Sequence, residues 1–427
     1  MPPGRLTEPL RSGPPSGASD RILLVAEAVT LAHLARPVTL ARGIASLGWT
    51  PVLASAPRFE RICPLDEWQT ERIASISGER FLDALARGSP LYDRATFDAY
   101  VKEDMALLRK VSPAVVVGDF RLSLSISARL AGVPYINVSN AYWSPYARPR
   151  WHVPALPWTR FVPAAMGDVA FRTVRPLAFR LHAQGMESSR RSHGLAGLGG
   201  SLLRHYTDGD VTLYADPPQL VPLHDAPTTH RHLGAVAWSP NLPLPAWWPD
   251  LDVAKGVVYV TLGSSGNAGR LPQVIAGLGS LGLPVVVATA GAHVPVPMPG
   301  NVHVADYLPG DTVAAHSRLV VCNGGSPTSH QALMHGVPVL ALPANLDQFL
   351  NSSYLEAAGV GAWLRPERSS TEAIAALARR MLGDAGMRDR AESLAEAMAL
   401  QRPVEVLAQA IRELAARVPG AAAGVVW

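Results

Sequence analysis

The chain has 427 residues, 48% hydrophobic and 17% charged, which is enough for two cores and excludes global disorder. Its formal charge is only +4, with lysine at Lys102, Lys110 and Lys255 alone; the basic residues nowhere form the long run or aromatic-interleaved stripe of a nucleic-acid binder, so an enzyme handling anionic ligands is expected. Cys63 and Cys322 lie far apart, with neither a metal spacing nor a disulfide framework; this suits a reducing cytoplasm, the expected location, and no apolar stretch is long enough to cross a bilayer.

Residues 1–20 are rich in Pro, Gly and Ser and lack a signal-peptide core, so they read as a disordered tail. The first strand is expected at Ile22–Glu27, leading through Val29–Ala35 into a helix near Pro37–Leu47. Leu40, Ile44 and Leu47 repeat there at helical spacing, and Gly48 stops it. Strands at Pro51–Ser55, Ala114–Gly118 and Pro134–Val138 follow, with a helix at Leu122–Leu130. Short apolar strands alternating with helices indicate a parallel sheet covered on both faces. Residues 141–200 differ, mixing Tyr142, Trp143, Trp151, Trp158 and Phe161 with Arg148, Arg150, Arg160 and Arg172. They read as an excursion that packs on the first domain, walls an acceptor through Tyr142, Trp143 and Trp151, or touches lipid.

The segment 236–254 carries Pro240, Pro243, Pro245 and Pro249 and reads as a stiff linker. It divides a first domain, 21–235, from a second, 255–427. In the second, strands are expected at Val257–Leu262, Pro284–Ala288, Asn301–Ala305, Leu319–Cys322 and Val337–Leu342. The region beyond Thr371 is helical and broken by Pro403; Leu407, Ile411 and Leu414 form a packing stripe. The fold class is α/β, two Rossmann-like doubly wound parallel sheets facing a central cleft.

Ligands of such sheets bind beyond the carboxyl ends of the strands, and the unusual polar residues of this chain fall there. Asn323-Gly324-Gly325-Ser326-Pro327-Thr328 reads as an anion site: glycines admit close backbone approach, Ser326 caps a helix with Pro327 at its first position, and Thr328 offers a hydroxyl and an N–H at the helix N-terminus. An ordinary glycine turn before a capped helix explains the same residues equally well. Gly263-Ser264-Ser265-Gly266 is neither a Walker A nor a dinucleotide fingerprint; beside the Asn323 segment it reads as a second phosphate contact. His33 and Asp119 end two strands of one domain, so Asp119 can fix the imidazole tautomer and leave the other nitrogen to take a proton. Asp208-Gly209-Asp210 reads as a solvated turn, with no metal assigned.

These segments together resemble the family 1 glycosyltransferases, GT-B enzymes that include bacterial antibiotic and macrolide glycosyltransferases and the UDP-glucuronosyltransferases. The likeness runs from Arg21 to about Arg417. It is strongest in Tyr307-Leu308-Pro309 and in NGGSPTSHQALMHGVPVLALPANLDQFLNS, and weaker in AHLARPVTLARGIASLGW. The resemblance implies a GT-B fold, with His33 as catalytic base and Asp119 as its partner. It implies that Tyr307 stacks on the nucleobase and that the Leu308 backbone pairs with it. Ser264, Gly325 and Thr328 match diphosphate contacts, Gln331 a ribose contact, and Asp347 and Gln348 the sugar contacts; Gly263, Ser265, Asn323, Gly324 and Ser326 are expected among the donor-binding residues around them. It implies inverting, metal-independent transfer; the donor is expected to be a UDP- or dTDP-hexose, with no cofactor beyond this nucleotide-sugar co-substrate, and the aromatic, arginine-bearing first domain suggests a hydroxyl-bearing acceptor that is a largely apolar or aromatic small molecule or a glycolipid. Asn323 and Gln331 stand where the family usually has histidine and glutamate. Two alternatives remain: a GT-B nucleotide-sugar epimerase, which would need no aromatic segment at 141–200, and a non-catalytic helper on the same fold. The sequence leaves the oligomeric state open.

Overall fold

The computed structural model describes residues 19–263, 268–294 and 297–417. Most of the expected tail 1–20, and Ser264, Ser265 and Gly266, lie outside the described residues. In chain order the first unit runs β1 (Arg21–Ala26), α1 (Leu31–Ser46), β2 (Thr50–Ser55), β3 (Gln69–Arg72), α2 (Gly78–Arg87), α3 (Arg94–Val111), β4 (Val115–Asp119), α4 (Leu124–Ala131), β5 (Tyr135–Ser139), α5 (Ala164–Ser192), α6 (Leu202–Tyr206), β6 (Val211–Tyr214) and β7 (His230–His232). The second runs β8 (Val257–Thr261), α7 (Leu271–Gly279), β9 (Val285–Ala288), β10 (Val302–Ala305), α8 (Gly310–Ala315), β11 (Ser317–Cys322), α9 (Ser326–Met334), β12 (Val339–Ala341), α10 (Leu346–Ala357), β13 (Gly361–Trp363), α11 (Thr371–Leu382), α12 (Ala385–Ala399) and α13 (Pro403–Ala415).

The first sheet has strand order β3-β2-β1-β4-β5-β6-β7 and the second β10-β9-β8-β11-β12-β13, and every pairing is parallel. Strands such as β4 and β9 are buried along their whole length, as sheets covered on both faces require. Each sheet reverses strand order at one point, between β1 and β4 and between β8 and β11.

Helix α1 begins at Leu31, not near Pro37, and holds Pro37 inside it. Pro37 has no N–H to close on the His33 carbonyl, but the apolar side chains Leu34, Val38, Leu40 and Ile44 are buried, and their packing outweighs that loss. The linker contains only short helical turns at Trp248–Asp250 and Val253–Lys255.

Helix α13 returns to the first sheet. Leu407, Ala410, Ile411 and Leu414 share a core with Ile22, Leu24, Leu34 and Ile44. A Cβ at Gly43 would fall 2.3 Å from Val404 Cγ2, so the glycine of α1 permits this close approach. Another core joins Ala141, Tyr142 and Tyr214 of the first unit to Val257, Leu333 and Leu350 of the second.

Candidate active site between the two sheets

The reversal of the first sheet places two side chains together. His33 lies in the first turn of α1, just after β1, and Asp119 is the last residue of β4. His33 Nδ1 stands 2.7 Å from Asp119 Oδ1. An ionised carboxylate only accepts hydrogen bonds, so Nδ1 carries the proton and Nε2 is left as the basic nitrogen. Asp119 is buried while His33 keeps one-fifth of its surface open. The Arg36 Nε lies at ion-pair distance, 3.4 Å, from Asp119 Oδ2.

Phe120 and Arg121, which the sequence reading passed over, hold this pair. Phe120 has φ 59°, a left-handed backbone that a bulky residue rarely adopts. Its ring stacks on His33 with centroids 4.8 Å apart and planes 14° from parallel. Arg121 is completely buried and donates to Glu27 Oε2 at 2.9 Å, Asp104 Oδ1 at 2.9 Å and Glu103 Oε2 at 2.7 Å. Its guanidinium also covers the Tyr100 ring at 3.8 Å. This anchor immediately after Phe120 over-determines the strained turn. An arginine two residues after a strand-end aspartate is the one trace of it in the sequence.

The second reversal brings up the glycine segments. Gly263 follows β8, and the position of a Cβ there would be 3.5 Å from Asn323 Nδ2 after β11. Asn323 Oδ1 accepts from the Gly325 N–H at 2.9 Å, so the side chain shapes its own turn. Gly324 has φ +81°, and a Cβ there would meet Ser352 Oγ at 2.5 Å; only glycine fits. The cap of α9 is Gly325, not the expected Ser326, which forms the first helical residue with Pro327 next. Ser326 is displaced from capping because its Oγ accepts from Asn140 Nδ2 of the first unit at 3.0 Å. Thr328 stays partly exposed in the first turn of α9, where unsatisfied N–H groups favour an anion.

The two walls meet at polar bridges. Asn140 also donates to both oxygens of Asp216 at 3.1 Å, and Asp216 Oδ1 lies 3.4 Å from His330 Nε2 on α9. Burial pushes the Asp216 carboxyl up, but His330, the Ala141 N–H and Asn140 outweigh it and hold it below the ordinary carboxylate range. Asn140 and Asp216 follow β5 and β6, and that strand-end position was the signal that could have identified them. Asp347 accepts from Trp143 Nε1 at 2.7 Å and the Tyr142 hydroxyl at 3.3 Å. Its carboxyl is raised by burial, against lowering by Trp143, His33 and Tyr142.

The remaining expected contacts have mixed surroundings. Gln348 Oε1 accepts from the Ala344 N–H at 2.9 Å, and its own N–H bonds Asn345 Oδ1 at 3.1 Å in a capping box at the start of α10. Gln331 Nε2 donates to the Trp238 carbonyl of the linker at 3.3 Å, a bond that a glutamate could not make. Tyr307 is partly exposed and Leu308 is buried in the shared core. Arg270, next to the Gly263 loop, has both terminal guanidinium nitrogens buried with no hydrogen-bond partner among the described residues, and burial lowers its pKa.

Aromatic rings line the way out from His33. Phe120 meets Tyr206 at 5.5 Å, Tyr206 meets Trp143 at 5.1 Å, and Phe179 of α5 lies 6.4 Å from Trp143 and 5.4 Å from Trp151. Tyr142 is buried below this wall. The Asp208 turn is not solvated: Asp208 is clasped by Arg129 at 2.9 Å and Arg190 at 2.6 Å, and Asp210 accepts from the Tyr135 N–H. Among the described residues no cluster of three His, Cys, Asp or Glu side chains could hold a metal ion, and no helix is long and apolar enough to cross a membrane.

Known proteins share this architecture. Residues 273–414 match the family described as Erythromycin biosynthesis protein CIII-like, C-terminal domain. A PGL/p-HBAD biosynthesis glycosyltransferase of Mycobacterium tuberculosis is 46% identical over 394 residues, 92% of either chain. A PGL/p-HBAD biosynthesis rhamnosyltransferase of Mycobacterium bovis is 44% identical over 382 residues, 90% of this chain and 85% of that one. Among solved structures, the spinosyn rhamnosyltransferase SpnG complexed with thymidine diphosphate superposes with a TM-score of 0.65 at 21% identity, covering 91% of this chain and 99% of that one. Two Rossmann-like parallel sheets and relatives this similar along nearly the whole chain place it: it belongs to the family 1 GT-B glycosyltransferases and is a glycosyltransferase.

Proposed function

We propose that this enzyme inverts the anomeric centre as it moves a hexose, including a 6-deoxyhexose such as rhamnose, from a UDP- or dTDP-sugar to a hydroxyl of a largely apolar or aromatic acceptor. The observation that carries the reading is the His33–Asp119 pair, 2.7 Å apart, in the unit whose Asn140 bonds Ser326 of the Asn323–Thr328 turn. His33 Nε2 takes the acceptor hydroxyl proton as that oxygen bonds to the anomeric carbon. The bond from that carbon to the diphosphate oxygen breaks on the opposite face, and the nucleoside diphosphate leaves with the electron pair. Backbone N–H groups at the start of α9, with Asn323, Gly324, Gly325, Ser326 and Thr328, receive the developing negative charge.

Asp347 and Gln348 face the sugar in this reading, Tyr307 the base and Gln331 the ribose. The bond from Trp143 to Asp347 couples sugar and acceptor sides, so donor binding and the acceptor wall are set together. Arg270, seven residues after Gly263 and with no hydrogen-bond partner for its two terminal nitrogens among the described residues, supplies charge that Asn323 lacks. The relatives are named for PGL/p-HBAD biosynthesis, and an acceptor from that chemistry, apolar or aromatic, would suit the aromatic wall. No metal is required, and the expected site of action is cytoplasmic.

The test is nucleoside diphosphate release from a nucleotide-sugar panel, with and without candidate acceptors. His33→Ala is expected to lose ~10²–10⁴-fold in kcat with donor affinity little changed, because His33 belongs to the other wall. Wild-type turnover of a folded His33→Ala variant would sink the base assignment. Donor turnover to an isomer without acceptor would favour an epimerase.

A further inference from the structure

Helix α5 has 29 residues, about 43 Å at 1.5 Å per residue, and two distinct faces. Inward, Arg175 lies 4.1 Å over the Trp151 ring and Phe179 packs on the aromatic wall. Outward, Met166, Val169, Val174, Leu177 and Leu181 recur at helical spacing and are 53 to 64% exposed. The turn before the helix adds Trp158 and Phe161, at 46 and 75%. These seven are more than half of the thirteen exposed large apolar side chains among the described residues. A single soluble surface rarely gathers so many in one place without a partner.

The charges around this stripe are one-sided. Between Ala141 and Arg204 the chain carries nine arginines and two acidic residues. Both acids are engaged: Asp168 with His152 and the Val153 N–H, Glu187 with Arg191, His205 and the Leu198 N–H. Arg160, Arg172 and Arg180 are exposed beside the apolar stripe.

We propose that α5 and the Trp158–Phe161 turn dock the enzyme on an anionic lipid bilayer, the helix lying in the interface plane. A bilayer offers both things this face lacks, an apolar layer for Met166, Leu177 and Leu181 and negative headgroups for Arg160, Arg172 and Arg180. A second copy of the chain would bring a like-charged arginine rim against this one. The other side of the same helix forms part of the wall that leads to His33, so a lipid-borne acceptor enters the cleft without leaving the membrane surface. The inference does not depend on the transfer reaction.

The test is sedimentation of the full chain with vesicles of phosphatidylcholine alone and of phosphatidylcholine mixed with phosphatidylglycerol. Binding is expected to the mixed vesicles and to fall as salt rises. Arg172→Gln and Arg180→Gln should each weaken it about fivefold, the share of one arginine near an anionic surface. Leu177→Asp with Leu181→Asp should abolish it while leaving the melting temperature and nucleoside diphosphate affinity unchanged, since both side chains face solvent. Wild-type protein left in the supernatant, or arginine variants that bind as well as wild type, would overturn the proposal. So would a dimer in lipid-free buffer that Leu177→Asp dissociates, which would make the face a self-association surface. Nucleotide affinity measured alongside keeps these outcomes separate from the catalytic reading.

Discussion

Arg121→Met tests how the Phe120 turn beside His33 is held. In the native structure two fully buried carboxylates, Glu27 and Asp104, face one fully buried guanidinium. After the substitution each retains a hydroxyl donor, the Tyr100 OH on Glu27 at 2.9 Å and Ser123 on Asp104 at 2.5 Å, and no cation. Breaking a buried pair by removing one partner costs ~3–5 kcal/mol. A urea slope of roughly 1–3 kcal/mol per molar holds for small proteins and grows with chain length, so the unfolding midpoint should drop by about half a molar or more. Burial already raises both carboxyls and Arg121 opposes it, so its loss raises them further. A folded-state pKa above the unfolded one means stability is whole below the unfolded pKa and is lost as pH climbs through the folded one. The deficit should therefore be smallest near about pH 4–5 and grow toward neutrality and above. Adding Glu27→Gln and Asp104→Asn removes the orphan charges and should restore most of the loss. Urea titrations followed by fluorescence at several pH values read all of this. An unchanged midpoint at neutral pH, or a deficit that does not shrink on acidification, would refute the reasoning.

Three further outcomes are expected. Asn323→Ala should weaken nucleoside diphosphate binding by ~1 kcal/mol, one neutral hydrogen bond, and Asn323→His should keep activity but make donor affinity depend on pH between about 6 and 7.5; calorimetric titration at several pH values measures both. Gln331→Glu should lower the melting temperature, because a carboxylate would face the Trp238 carbonyl and leave it without its donor, at a cost of ~1–3 kcal/mol. Chelators should leave turnover unchanged; activity lost to chelation and restored by Mg²⁺ would contradict a diphosphate site built from helix N–H groups.

The strands and the residues at their ends were readable because fully buried parallel strands are short apolar runs, and the polar residue that ends each run stands out. His33, Asp119, Asn323 and Asp347 were singled out on that basis. Phe120 was not, since its role comes from a left-handed backbone that no composition rule announces for phenylalanine. The Asn140–Asp216–His330 bridge joins residues up to 190 positions apart, visible only once both sheets are placed. Residues 141–200 read as an excursion because Gly167, Pro176 and Gly185 interrupt what is one continuous helix. Gly185 is there for packing: a Cβ would sit 2.6 Å from the Tyr92 carbonyl oxygen. Ser326 was misplaced by one residue because its hydroxyl serves the neighbouring unit rather than its own helix.

Helix α13 has a consequence for how the chain is made. The core of the first sheet holds Leu407, Ile411 and Leu414 beside Ile22 and Leu24, and Arg231 is paired to Glu413. Domains usually complete themselves in order as they leave the ribosome. Here the first sheet keeps an apolar gap along α1 until α13, which follows it by about 170 residues, emerges. During most of translation that gap is a surface for chaperones or for wrong partners. A chain that stops before residue 403 leaves Ile22, Leu24, Leu34 and Ile44 without the α13 side chains that pack on them.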